Sequence, residues 1–221
     1  MTKSETYKLP PEVLQQLTQR SDAKGLLQLG AHLAMLLFAG IGLHLTRDSA
    51  LLLVTLPFYS ALLIFLFAPL HETLHFTVFK TRWLNNLVAA ITGFLLLLPF
   101  QNFRAFHYAH HRHTQNPELD PELLDIKPLQ RRHYWLYLTG LPTWWQSLVS
   151  IWRHAAGTVD ESYIEERHHK TIIKEARIHL AGYALLLLFS VLWSSGALWW
   201  YWILPALVGQ PMLRLYLMAE H

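Results

Sequence analysis

The sequence predicts an all-α membrane protein with about four transmembrane helices, and three observations carry this prediction. Of its 221 residues, 52% are hydrophobic and 15% are charged, and the apolar residues form long blocks instead of recurring at the period of a half-buried helix or strand. Several blocks are uncharged over about 20 residues, which is the length of one helical crossing of a hydrocarbon core. The basic residues, finally, gather on one predicted side of the membrane.

The first two crossings are predicted at residues 26–45 and 50–70, which contain no Asp, Glu, Lys or Arg. They form a hairpin across the polar turn 46–49, so the chain returns at residue 71 to the side of its N-terminus. A third uncharged run, 83–100, contains two asparagines, a glycine and a proline, which make it a poorer span. We expect this run to form an interfacial or re-entrant helix.

Residues 101–177 are polar and basic, and we expect them to form a His-rich cap on the membrane. Within this cap, the aromatic stretch 133–152 suits the headgroup layer, and the charged stretch 160–177 predicts a solvated helix. The last uncharged run, 178–213, has 36 residues, which is too long for one comfortable crossing. It is interrupted at 194–196, so two crossings joined by a tight turn are predicted. One tilted span with an interfacial tail is the alternative.

The four-span topology is supported by the distribution of the 18 lysines and arginines. All of them except Arg47 fall on the side of the N-terminus, and basic residues of multi-pass proteins concentrate on the cytoplasmic side. Both termini and the His-rich cap are therefore expected to be cytoplasmic. This placement also accounts for the net charge of +3, so no nucleic-acid partner is expected. The absence of cysteine excludes thiolate metal ligands and disulfides.

Two histidine clusters form the candidate functional site. His71 and His75 stand at i and i+4. His107, His110 and His111 stand at i, i+3 and i+4, so each cluster shares one face of a helix, as metal ligands do. Ligands approach an ion to about 2.1 Å, so the two clusters can share a site only if the uncharged run between them does not cross the membrane. A shared site therefore requires the re-entrant or interfacial placement of that run.

The first cluster is open to two enzymatic interpretations. Residues 71–75 satisfy H-E-x-x-H, in which two histidines bind zinc and the glutamate, here Glu72, is the general base of a metalloprotease. A protease site needs one further ligand and a water, whereas this chain offers five or six imidazoles. Such an excess without thiolates favours a di-iron oxygenase. A non-catalytic membrane protein that folds and binds metal without turnover is the third interpretation.

The other histidines are expected to be amphipathic interface residues and not ligands. They are His32, His44, His133, His154, His168, His169 and His179. His113 lies off the shared face and is expected to support a ligand without binding metal. His221 is a candidate ligand, because the four-span topology returns it to the side of the membrane where the clusters lie.

With these residues identified, the chain resembles the membrane fatty acid desaturase superfamily of non-haem di-iron enzymes, which includes desaturases, acyl hydroxylases and carotenoid ketolases. The resemblance rests on H-x-x-x-H at residues 71–75, on F-R-x-x-H-x-x-H-H at residues 103–111 and on the acidic turn 117–122. It is most similar to the bacterial acyl-lipid branch, whose last span ends in an Ala-Glu-His segment like residues 219–221. The resemblance covers nearly the whole chain, so a single desaturase-like domain, 1–221, is expected.

The resemblance implies two non-haem iron ions held by histidines. The implied ligands are His71, His75, His107, His110, His111 and His221. It also implies the introduction of a double bond into a lipid acyl chain, with dioxygen and with electrons from a ferredoxin- or cytochrome-type donor. The family carries a third box, a further H-x-x-H-H located after the last span, and the 221 residues contain none after residue 213. We therefore expect the sequence to be truncated and this chain alone to be inactive as a desaturase.

Overall fold

The computed structural model describes residues 9–124 and 131–220, and the regular elements within these ranges are all helices. A π-helical turn at Trp199–Ile203 leads into the last of them. The helices are, in chain order, α1 (Pro11–Leu17), α2 (Asp22–Thr46), α3 (Leu52–Ile64), α4 (Phe67–Leu74), α5 (Arg82–Leu95), α6 (Phe100–His113), α7 (Pro121–Leu124), α8 (Arg131–Leu138), α9 (Leu141–Ala155), α10 (Glu166–Leu192) and α11 (Leu204–Glu220).

Three helical segments among the described residues are long and apolar enough to cross a membrane: Pro11–Thr46, Leu52–Leu74 and Glu166–Leu192. A fourth is counted if the bent pair α5 and α6 forms one broken span. The outward surface of these segments is apolar, and Leu27 and Leu53 are 76% and 80% exposed. Such exposed apolar surfaces are suited to contact with membrane lipid. The predicted all-α membrane protein is therefore confirmed, with three or four candidate spans among the described residues.

An apolar core joins the first spans to the last helix. α3 packs against both α2 and α11, α4 packs against α5, and α9 packs against α10. Gly209 allows the close approach of α11 to α3, because a Cβ at this position would lie 2.8 Å from the carbonyl oxygen of Ser60. From α4, the buried residues Phe67, Leu70 and Leu74 enter this core. The core thereby fixes the helix that carries the first histidine cluster.

The chain turns sharply between the two histidine clusters. α5 and α6 meet at an angle of 101°, and the break between them contains Leu97 with φ +60°. Gly93 is required here, because a Cβ would lie 2.4 Å from the carbonyl oxygen of Leu98. Pro99 then ends the break and precedes the first turn of α6. The bend brings α6 beside α4, while the interfacial or re-entrant placement of residues 83–100 stays a prediction.

One predicted helix has different bounds in the structure. The solvated helix predicted at 160–177 does not stand alone, because α10 begins at Glu166 and continues to Leu192. No proline interrupts this stretch, so the charged and the apolar halves propagate as one helix. The expected interruption at 194–196 is present, since Ser194 has φ +47° after α10. A further break lies between α8 and α9, where Gly140 has φ +68°.

Candidate metal centre

Four histidines from two helices converge. His71 and His75 come from α4 and its C-terminal cap, and His107 and His111 come from α6. One nitrogen of each imidazole lies within 4.8 Å of the corresponding nitrogens of the other three. The Nε2 atom of His107 is 2.7 Å from Nε2 of His75 and 3.0 Å from Nε2 of His111. The sequence therefore predicted correctly that the two clusters meet.

Aromatic side chains and a hydrogen bond hold α4 and α6 in this arrangement. The rings of Phe67 and Phe103 lie 5.9 Å apart between the two helices, and the ring of Phe103 stacks on His107 at 5.8 Å. The hydroxyl of Tyr108 donates to the carbonyl oxygen of Leu74 at 2.6 Å, which ties α6 to the end of α4. The apolar residues at helical spacing thus determine where the histidines point.

The donor set fits a metal ion. Nitrogens that bind one ion at about 2.1 Å lie no more than about 4.2 Å apart, so sub-ångström movements would bring all four within reach. A ligand imidazole must be neutral. Burial, and then the neighbouring His71 and His111, hold the pKa of His75 below its usual value, although Glu72 opposes them. Imidazole without thiolate suits iron, zinc, copper and nickel.

His110 lies outside the group of four and has carboxylate neighbours. Its Nδ1 is 2.8 Å from Oδ1 of Asp120 and 3.1 Å from Oε2 of Glu122. His110 is 4% exposed and Asp120 is 1% exposed, so the pair is shielded from water. Burial alone raises the pKa of Asp120, but hydrogen bonds from His110 and from the backbone N–H groups of Glu122 and Gln115 lower it below its usual value. A carboxylate on one imidazole nitrogen is the arrangement that orients metal-binding histidines through the other nitrogen.

The acidic turn 117–122 is visible in the sequence, but the pairing of its Asp120 with His110 was not predicted. The turn folds back on α6 because Asp120 Oδ2 accepts the backbone N–H of Gln115 at 3.0 Å. The sequence does contain one indication of the contact between Asp120 and His110. Asp120 follows His110 by ten residues and lies between two prolines, which favour a turn. Ring spacing places His110 next to the cluster, with centroids 5.6 Å from His111.

The N-terminus of α6 is capped from another helix. Pro99 makes no side-chain capping bond, but Oε2 of Glu175, from α10, accepts the backbone N–H of Gln101 at 3.0 Å. A carboxylate near the N-terminus of a helix also interacts favourably with the positive end of the helix dipole. On the next turn of α6, Nη2 of Arg104 donates to Oδ1 of Asn86 on α5 at 2.9 Å. α6 is thus fixed by α4, α5 and α10 together, and sequence reasoning missed the role of Glu175.

A cavity of about 1030 Å³ opens beside the cluster. It runs from His71 and His107 towards α9 and α11, and its walls combine apolar residues such as Phe103 and Leu217 with polar ones such as Gln146. Two of the predicted ligands, His71 and His107, therefore line a space as large as ligand-binding pockets usually are, about 300–1,000 Å³.

The remaining sequence-predicted residues are not brought into the cluster. His113 lies outside the group of four, and the carboxylate of Glu72 accepts the hydroxyl of Thr77 at 2.9 Å. Several isolated histidines have hydrogen-bond partners outside the cluster: His32 with the carbonyl oxygen of Leu62, His44 with Tyr201, His154 with Glu161 and His179 with the carbonyl oxygen of Glu175. His221 lies outside the described residues.

Comparison with known proteins identifies the family. The model of the fatty acid desaturase family matches residues 48–221. The chain belongs to the fatty acid desaturase family. This result confirms the resemblance inferred from the histidine boxes, and it makes the chain a member of a membrane-associated family of oxidoreductases that act on lipids and generally depend on two irons.

Three curated relatives are each named sn-1 oleoyl-lipid 12-desaturase. The protein of Synechocystis sp. is 24% identical over 161 residues, which cover 68% of this chain and 44% of the relative. The protein of Picosynechococcus sp. is 31% identical over 86 residues, covering 36% of this chain and 24% of the relative. That of Anabaena variabilis is 29% identical over 89 residues. The chain thus spans less than half the length of these relatives, and no solved structure matches it.

Proposed function

We propose that this chain acts in the desaturation of lipid acyl chains at a histidine-held di-iron site, with dioxygen and external electrons. The observation that carries the proposal is the convergence of four imidazole nitrogens from α4 and α6 within 4.8 Å. Membership of the fatty acid desaturase family supports the reaction class, and the names of the curated relatives support a lipid-bound acyl substrate.

The proposed ligands are the six histidines that the sequence singled out. His71, His75, His107 and His111 are the group whose nitrogens already meet. His110 is proposed as a further ligand, with Asp120 accepting its Nδ1–H so that Nε2 is the atom presented to a metal. His221 completes the set. When bound, the irons supply the activation of dioxygen that removes two hydrogens from adjacent methylenes.

The protein's own residues would orient the substrate and exclude water. The aromatic residues Phe67 and Phe103 line the side of the cavity next to His71 and His107, which suits a methylene chain. An acyl chain could enter from the surrounding lipid without crossing water. The electron donor is proposed to be a ferredoxin- or cytochrome-type protein, as the family resemblance implies.

We propose one domain, 1–221, with the histidine clusters and both termini on the cytoplasmic side. Seventeen of the 18 basic residues lie on that side in the four-span topology, which supports the orientation. The naturally cysteine-free chain allows a direct test with single cysteines at Thr158 and Ser195, both of which are exposed. A membrane-impermeant reagent applied from outside should label Ser195→Cys only, and labelling of Thr158→Cys instead would reverse the orientation.

The reaction is tested by mass spectrometry of acyl chains. Because the family carries a third box, H-x-x-H-H, we propose that desaturation needs it, and the chain should be expressed with and without a C-terminal extension that supplies one. New double bonds are expected with the extension only, and the matched control, the same extended chain with His107→Ala, should form none. Equal desaturation without the extension would contradict the need for a third box. Desaturation by the His107→Ala control would contradict the metal site.

The variant Glu72→Gln distinguishes a zinc metalloprotease from the proposed di-iron desaturase. A metalloprotease would lose its general base and its activity while keeping metal. In the proposed site Glu72 is not a ligand, so the variant should keep both iron and desaturation in the extended chain. Peptide hydrolysis that Glu72→Gln abolishes would overturn the proposed function.

A further inference from the structure

The outward face of α10 carries an exposed row of cations. Lys170, Lys174 and Arg177 stand at i, i+4 and i+7, so they share one face of the helix, and all three are exposed. The opposite face of α10 is buried against the protein through Ile172, Glu175, Ala176 and His179. The cations therefore lie on the side of α10 that faces away from the metal centre.

A groove of about 530 Å³ follows this face of α10. Its lining residues are Lys170, Ile173, Lys174, Arg177, Ile178 and Ala181. The groove begins among charged residues and ends in the uncharged run 178–213, where the small side chain of Ala181 leaves room beside Ile178. One surface thus combines a cationic end with an apolar end, at the point where α10 passes from its charged half into its apolar half.

The charge of this row is not neutralised by the surrounding protein. The structure shows no ion pair to Lys170 or Lys174 among the residues that it describes, and Nε of Arg177 donates to the carbonyl oxygen of Ala155 at 2.9 Å. Glu166, one turn before Lys170, is the acidic residue on the same face. By contrast, the exposed Arg167 on the same helix is paired with Glu165 at 2.8 Å. An anion would complement the row.

We propose that this groove binds the headgroup of an anionic phospholipid, with the phosphate on Lys170, Lys174 and Arg177 and an acyl chain along Ile178 and Ala181. From Lys170 to Arg177 there are seven residue steps, about 10 Å at 1.5 Å per residue, so the three long side chains can reach one phosphate, and cations near a membrane surface attract anionic lipid. The apolar end favours a lipid over an acidic protein, because it continues into a helix long and apolar enough to cross the membrane. This proposal does not depend on the desaturase reaction.

The test is retention of phosphatidylglycerol by the purified full chain. The protein is taken from nanodiscs of phosphatidylcholine with 20 mol % phosphatidylglycerol, released, and analysed by native mass spectrometry. The wild-type chain should retain phosphatidylglycerol in preference to phosphatidylcholine. The variant Lys170→Gln/Lys174→Gln/Arg177→Gln should lose that preference, with each neutralised cation lowering affinity about fivefold.

A matched control removes three charges elsewhere, at Arg20, Arg131 and Arg153, and should retain the lipid as the wild type does. Equal retention by the groove variant, or an equal loss in the control, would overturn the proposal. Inorganic phosphate and a purified acidic ferredoxin are added as competitors in separate arms. Displacement of the lipid by millimolar phosphate would identify a free-phosphate site, and displacement by ferredoxin would identify a protein-docking surface. Either result would overturn the lipid assignment, and failure of both competitors supports it.

Discussion

His107 and His154 are both buried, yet their surroundings differ in a way that separates a metal site from a structural histidine. His107 is 6% exposed and His154 is 1% exposed. The Nε2 atom of His107 meets two other imidazole nitrogens, whereas Nε2 of His154 lies 3.0 Å from the carboxylate of Glu161. The carboxylate of Glu161 pairs with Nε2 of His154, although Nδ1 of that ring has no hydrogen-bond partner among the described residues. Four convergent imidazole nitrogens instead bring lone pairs together and suit a cation. Convergence of nitrogens, and not burial, is the mark of the candidate site.

The largest expected effect contrasts these two residues directly. His107→Ala removes the nitrogen at the middle of the group, so we expect iron affinity to fall by more than about 100-fold. His154→Ala should leave metal binding unchanged and reduce stability only. Metal content by plasma mass spectrometry, together with Tm in detergent, measures both outcomes. A loss of iron from His154→Ala equal to that from His107→Ala would remove the distinction.

The sequence predicted the membrane class and the meeting of the two clusters because both depend on local pattern. Uncharged runs predict spans, and spacing of i, i+3 and i+4 predicts a shared helix face. The roles of Asp120 and Glu175 were missed because they depend on tertiary contacts. Glu175 lies 74 residues from Gln101 in sequence, and only the packing of α10 on α6 brings their atoms together. The continuous α10 was not predicted either, because a change from charged to apolar residues does not by itself end a helix.

The second prediction concerns His110, which belongs to the second histidine cluster but, like His154, has a carboxylate as its partner. If Asp120 orients His110 for a metal, Asp120→Asn should lower iron affinity about tenfold while the fold is retained. Glu118→Gln, a charge-neutralising change in the same turn, is the matched control. Iron titrations of both variants measure the effect. Unchanged affinity in Asp120→Asn would place His110 with the structural histidines.

The third prediction concerns the cap on α6. Glu175→Ala leaves buried N–H groups at the helix N-terminus unpaired, which costs about 1–3 kcal/mol of stability. Glu175→Gln keeps an acceptor oxygen and should recover part of the loss. The exposed Glu166→Ala on the same helix is the control and should change Tm little. A Tm for Glu175→Ala equal to that of the control would show that the cap does not stabilise α6.

The smallest expected effect is the pH dependence of the His154–Glu161 pair. Burial alone raises the pKa of Glu161, but the hydrogen bond from His154 and nearby positive charges bring it below the usual 4.5. Because the folded pKa is below the unfolded one, the stabilisation is present above pH 4.5 and is lost as pH falls through the folded value. The Tm difference between wild type and Glu161→Gln should therefore shrink below that pH. A difference that grows on acidification would contradict this assignment.

The most direct test of the central claim, that α4 and α6 hold one metal site, is a double-variant comparison. His75 and His107 are the suitable pair, because their Nε2 atoms lie 2.7 Å apart across the two helices. Iron affinity is measured for His75→Ala, His107→Ala and the double variant. If both bind the same ion, the double variant should lose little more affinity than the more damaging single variant. Losses that add, with each single variant retaining a separate ion, would contradict the claim.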